Sequence, residues 1–211
     1  MRPKKHTTYT PAALDADGLM NDVAYSGGGY AITANDAGDS LAHLITILGN
    51  AATNHSGKTF TVTGTDADGK AQTETLAGPN GVATITTTKH FKTVTSITVD
   101  STTGADTFDA GWTGVSVGPT YPVDWRSSSA CNIAVDVTGT INFSVQETIG
   151  DIYRTSTPAQ DCPWFSISAL ASKTADTNAP ATVGVGGIRV LVNSLTATAT
   201  FTMYTSQSPN Q

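Results

Sequence analysis

Charge is scarce in this sequence. Asp, Glu, Lys and Arg make up 13% of its 211 residues, roughly half the ~25% of an ordinary globular chain. The Glu/Lys/Leu texture of helical proteins is missing with it. The net charge is −6, which repels the phosphates of a nucleic-acid partner. Cysteine is almost absent. Cys131 and Cys162 are too few for a disulfide framework and lie in no Cys-x-x-Cys pair, so a zinc site is not expected; they read as free thiols of a reducing compartment. No apolar stretch approaches the ~20 residues of a membrane helix, so no membrane partner is expected. "MRPKKHTTYTPAAL" has no apolar centre of a secretory signal. The expectation is a protein made in the cytosol, kept there or released by lysis.

What is present is uncharged polarity: Thr, Ser, Asn and Gly. Branched β-carbons suit a pleated surface, and the apolar residues alternate. Phe60 and Val62 point one way, Thr61 and Thr63 the other. "LAHLITILGN" (41–50) has helical spacing at Leu41, Leu44, Ile45 and Leu48, yet Ile45-Thr46-Ile47 is β-rich; a strand is predicted because everything after it is β. Further strands are predicted over Tyr30–Ala34, Ala71–Leu76, Val82–Thr88, Thr93–Val99 and Phe108–Val117. Short strands divided by Gly/Asp/Asn turns indicate a sandwich or barrel. Pro119 and Pro122 break the pattern. Beyond them Ile133, Val135 and Val137 alternate, then Ile141, Phe143 and Val145, with Thr138-Gly139 reading as a hairpin turn. Loops over Glu147–Pro163 and Lys173–Pro180 flank a strand at Trp164–Ser168. Ile188–Val192 turns at Asn193–Thr196 into a last strand with Ala197, Ala199, Phe201 and Met203 inward. The predicted fold is all-β: an extended N-terminal arm (1–29), a first β-sandwich domain (30–118) and a second, jelly-roll-like sandwich domain (119–211).

The arm holds few apolar residues and a Gly27-Gly28-Gly29 run, too little for a core of its own. Its basic start reads either as a solvated tail or as a docking arm. On the second reading Arg2, Lys4 and Lys5 meet acidic groups of a partner subunit, and Tyr9, Leu14, Leu19 and Met20 fill apolar pockets on it.

Two stretches look chemical. Gly57-Lys58-Thr59 resembles the end of a phosphate-binding loop, but the position five before Gly57 is Ala52, and a strand follows instead of the helix such a loop needs. Asp66-Ala67-Asp68-Gly69 resembles part of a calcium loop, but Gly69 stands directly after the second Asp and no distant bidentate Glu is placed to complete the site. Both read as one hairpin. The four histidines, His6, His43, His55 and His90, have no metal partner at useful spacing. Asp124, Glu147, Asp151 and Asp161 are carboxylates of the kind a glycosidase pairs, but any acidic surface offers as many. No catalytic residue, cofactor or metal is expected. Trp125, Tyr153 and Trp164 could serve as stacking platforms for a glycan, with loop residues such as Asp151 and Asn178 bonding hydroxyls; core or interface packing is the bland alternative for each.

"SGKTFTVTGTDADGKAQTETLAGPNG…TTTKHFKTVTSITVD…ADTFDAGWTGVSV" resembles a module of tailed-bacteriophage virion proteins: a "GTDADG" hairpin, "TET", a "KxFKTVTSI" strand and a terminal "GW". The later block, with "VDVTGTINFSVQET", "WF" and "IRVLVNS…ATATFT", is similar to a β-sandwich that accompanies it, and also resembles galactose-binding-like jelly rolls. The resemblance spans about residues 30–205 and carries no fixed catalytic residues. It implies a non-enzymatic virion structural protein, foremost a capsid decoration (cement) protein that forms a homo-oligomer on the major capsid protein. A neck or tail component, or a carbohydrate-binding host-attachment module, is the alternative. The location implied is the virion, assembled in the host cytoplasm.

Overall fold

The computed structural model describes residues 4–153 and 159–207. The chain is all-β and β-sandwich-like, with two single turns of 3₁₀ helix among the described residues. It forms two compact units, Leu14–Thr113 and Met1–Ala13 with Gly114–Gln211.

The unit 14–113 holds β2 (Asp15–Ala24), β3 (Gly29–Tyr30), β4 (Ala42–Gly49), β5 (Thr59–Thr65), β6 (Ala71–Ala77), β7 (Thr84–Phe91), β8 (Thr93–Val99) and most of β9 (Thr107–Val117). One sheet runs β3–β8–β5–β6; the other, within this unit, runs β2–β9–β4–β7. The alternation of β5 holds, with Phe60 and Val62 buried between half-exposed threonines. The two sheets share one apolar core, built from Phe60, Val62, Val94 and Ile97 on one side and Ile45, Ile47, Phe108 and Ala110 on the other. Tyr30 stacks on Phe60 at 5.8 Å between centroids and meets Phe108 edge-on at 5.3 Å. Full burial of each such aromatic contributes about 1.5–3 kcal/mol. The ambiguous segment at 41–50 is indeed a strand: β4 pairs with β7 and buries Ile45 and Ile47. The strand predicted over Tyr30–Ala34 stops after Tyr30. The amides of Thr33 and Ala34 leave the ladder and donate to the Leu19 carbonyl.

The unit made of 1–13 and 114–211 is organised on two long strands. β11 (Asn132–Thr148) pairs antiparallel with β14 (Gly187–Ser206) along its whole length. Shorter strands flank them. β13 (Thr177–Pro180) and β12 (Phe165–Ser166) pair with the two ends of β11. On β14, β1 (Lys4–Tyr9) covers Phe201–Thr205, β10 (Tyr121–Pro122) covers 187–188, and the end of β9 covers 191–192. Buried residues include Ile133, Val135, Ile141, Phe143, Val190, Val192, Phe201 and Met203.

Two predicted hairpins are therefore corrected. Thr138-Gly139 is a bulge inside β11, and Asn193–Thr196 lies inside β14, with the register shifting between Thr138 and Thr140 and between Asn142 and Phe143. A two-residue hairpin needs positive φ at both central residues or a glycine at the first. Here Gly139 alone has it, at φ 76°, and one left-handed residue in a strand makes a bulge. A Cβ on Gly139 would stand 2.5 Å from the Thr198 carbonyl oxygen, so the crossing strand fixes this glycine. At the other site Asn193 Nδ2 donates to Asn142 Oδ1 and Ser144 Oγ, a side-chain ladder across the paired strands. Trp164–Ser168 shortens to β12, because the chain winds into a 3₁₀ turn at Ser168–Leu170 that buries Leu170.

The arm expected over 1–29 does not exist as an arm. Lys4–Tyr9 gives its backbone to β14, and Asp15–Ala24 gives its backbone to β9. Two exposed strand edges of the same chain satisfy the polar groups that a partner was expected to satisfy. The first unit accordingly begins at residue 14, not 30, and the second at 114, with 1–13 added.

Candidate functional site

The residues that look chemical in the first unit are engaged by the fold. Asp66 is buried, and its Oδ1 accepts the amides of Asp68 and Lys70 at 2.9 and 2.8 Å. Gly69 sits at φ 78°, the left-handed position that closes the turn. Burial pushes the Asp66 carboxyl above its ordinary range, only partly countered by the amide of Lys70. A carboxyl raised in this way is a poor ligand for calcium. Lys58 Nζ donates to the Thr102 carbonyl at 2.7 Å and to Ser101 Oγ, closing the neighbouring turn. The Gly57-Lys58-Thr59 segment thus opens a strand and ties down a loop. Glu74 on β6 receives the amide and hydroxyl of Thr88 and the amide of Lys89, each at 2.8 Å.

Histidines are likewise structural. His43 Nδ1 bonds the Thr113 carbonyl and Nε2 bonds Asp39, both buried. His55 Nε2 bonds Asp106 at 2.9 Å; hydrogen bonds from Thr53 and His55 hold that carboxyl below its usual range. His6, on β1, bonds Thr205 and packs 4.0 Å from the Tyr121 ring, and burial together with Lys4 lowers its pKa. Among the described residues no three His, Cys, Asp or Glu side chains converge on a metal position.

The residues assigned to a partner-binding arm are dispersed. Leu19 and Met20 are fully buried in the core of their own unit, and Tyr9 stacks on Phe201 at 5.3 Å. Both corrections have one cause: the apolar pockets these side chains need are supplied by the same chain. Leu14 is exposed, as are Lys4 and Lys5. Arg2 lies outside the described residues.

One open groove in the second unit does gather predicted residues. Trp125, Asp151 and Tyr153 line it with Ile149, Ile152, Gly150, Gly184 and Gly186, around a volume of about 360 Å³. Sequence reasoning picked the two aromatics and Asp151 but missed Ile149 and the glycines. An apolar residue in the polar loop "ETIGDIY" and the "GVGG" run were the available signals. Trp164, the third platform expected, is not there. Its indole Nε1 donates to the Ala159 carbonyl, and the Arg189 guanidinium lies 4.1 Å from the ring centroid. A face covered by a cation is closed to a sugar. Glu147 is also committed: it accepts the amide and hydroxyl of Thr182. Asn178 lies on β13, in register with Ala134.

No protein-family model matches this chain, and neither a curated protein nor a solved structure matches it.

Proposed function

We propose that the chain is a non-enzymatic virion structural protein of a tailed bacteriophage, a decoration protein on the capsid. One observation carries this reading. The side chains that give the virion-like signature its chemical look (Lys58, Asp66, Glu74 and Gly69) all serve the hairpins and edges of one sandwich unit. A signature made of turn-closers and edge-clamps marks a scaffold, and a scaffold's function lies in what its surface meets. On this reading the protein assembles in the host cytoplasm. It binds the assembled lattice of the major capsid protein but not free subunits, and so shifts the equilibrium toward shell by mass action. Closed symmetry is the ordinary form of self-association for such a protein.

The test is a copy count by quantitative mass spectrometry of purified particles, with labelling by gold-conjugated antibody. A count that scales with the head lattice, and label over the head, is expected. A count matching a single vertex, or label on the tail, replaces this reading with a neck or tail role. Absence from the particle overturns both.

A further inference from the structure

The groove of the second unit is built from three loops that the fold holds in place. Gly150 N donates to Thr148 Oγ1, and Gly186 N donates to the Thr148 carbonyl at 2.8 Å. Val123 N donates to the Gly186 carbonyl. Gln207 pins the loop that carries Trp125: it accepts the amide of Asp124 and donates to the carbonyls of Asp124 and Ser129. A Cβ on Gly186 would stand 3.1 Å from the Gly150 carbonyl oxygen, so two of the loops touch through backbone.

On this frame the chain exposes what it elsewhere buries. The large apolar side chains exposed among the described residues are Leu14, Val82, Trp125, Ile149, Tyr153, Phe165 and Val183. Four of these seven belong to the three groove loops: Trp125 (59% exposed), Ile149 (75%), Tyr153 (66%) and Val183 (53%). Asp151 stands among them, with Oδ1 accepting the Tyr153 amide at 3.0 Å. An exposed cluster of this kind on a rigid frame marks a binding surface.

We propose that this groove binds a neutral saccharide, independently of whether the chain sits on a virion. A pyranose ring has an apolar C–H face and a rim of hydroxyls. Trp125 and Tyr153 offer flat apolar faces at low entropic cost, and Tyr adds a polar tip. Asp151 and the main-chain groups around Gly150, Gly184 and Gly186 offer hydrogen-bond partners for hydroxyl rims. The volume falls within the ~300–1,000 Å³ usual for small-molecule sites. Charge narrows the class. The carboxylate of Asp151 and the net charge of −6 disfavour an anionic sugar. Arg126 lies 5.7 Å from the Trp125 ring centroid with its Nε 3.8 Å from Asp124, so its charge is already matched. An apolar protein segment would strip water from Asp151 without replacing its hydrogen bonds, which is costly.

The chain has three tryptophans, so indole N–H signals in a proton–nitrogen NMR spectrum report on Trp125 separately, once Trp125→Phe has assigned its peak. The full chain is titrated with neutral oligosaccharides (maltohexaose, cellohexaose, chitohexaose and a galactohexaose) to millimolar concentration. Saturable shifts of the Trp125 indole are expected with at least one of them. Trp125→Ala and Tyr153→Ala should each weaken binding about tenfold or more, the equivalent of ~1.4 kcal/mol, while Phe165→Ala leaves it unchanged. Thermal melting confirms that each variant is folded. No shift with any sugar, binding that survives Trp125→Ala, or a Trp125-dependent complex with a protein instead of a sugar overturns the proposal.

Discussion

Glu74 holds Thr88 by both its amide and its hydroxyl, with Oε1 accepting the two at 2.8 Å. The two residues lie on different sheets: Glu74 on β6, the last strand of one, and Thr88 on β7, the last strand of the other. A carboxylate thus satisfies amides that an edge strand would leave to water, and joins the sheets where the sandwich would open. Hydrogen bonds to a charged group contribute about 1.5–3 kcal/mol when shielded and less near solvent. Glu74→Ala should destabilise the protein by roughly 1–2 kcal/mol, seen as a lower urea midpoint with unchanged m-value. An unchanged midpoint would mean that the edge is held without it.

Asp66 bears on pH dependence. Its folded-state pKa is raised by burial, so between its ordinary value and the raised one the folded state binds more protons than the unfolded. The contribution of Asp66 to stability is therefore greatest at acid pH and falls as pH rises through that window. Asp66→Asn keeps an acceptor for the amides of Asp68 and Lys70 and never ionises. The difference in stability, variant minus wild type, should grow in the variant's favour from pH 3 upward and level off above the window. Urea denaturation across that range measures it; a constant difference would refute the assignment.

Backbone approach makes some glycines irreplaceable and leaves others free. A Cβ on Gly64 would lie 1.9 Å from the Thr93 carbonyl oxygen, whereas around Gly57 there is nothing within 4 Å. Gly64→Ala forces β5 and β8 apart and should cost about 3 kcal/mol or more; Gly57→Ala should fall within about ±0.5 kcal/mol of wild type. Equal melting temperatures for the two variants would contradict the packing described here.

Removal of residues 2–29 tests the fate of the expected arm. The deletion takes Leu19 and Met20 out of one core and the β1 strand, with its Tyr9–Phe201 stack, off the other unit. Two buried side chains of this size are worth roughly 2–5 kcal/mol each, comparable with a domain's whole stability. The truncated chain should be insoluble or lack a cooperative melt. A soluble, cooperatively folded product would restore the arm as a dispensable segment.

The class of fold, the phase of each strand and the turn at Asp66–Gly69 were legible because they are local: alternation and left-handed glycines are written in neighbouring residues. Phe60 and Val62 inward, Phe201 and Met203 inward, and β4 as a strand all follow from that pattern. Half of the groove was legible for the same reason, since Trp125, Tyr153 and Asp151 are conspicuous in polar loops. What local pattern does not contain is the identity of a strand's neighbour. Lys4–Tyr9 looks like a tail until β14 offers it an edge. Asp15–Ala24 looks too polar for a core strand until β9 pairs with it and buries Leu19 and Met20. Thr138-Gly139 looks like a turn until β14 runs past it as a continuous partner. Trp164 looks like a platform until Arg189, 25 residues on in sequence, covers its face. Backbone hydrogen bonds in a sheet join residues far apart in the chain, so tertiary structure alone decided which edges were filled, which glycines were bulges, and which aromatics were left facing water.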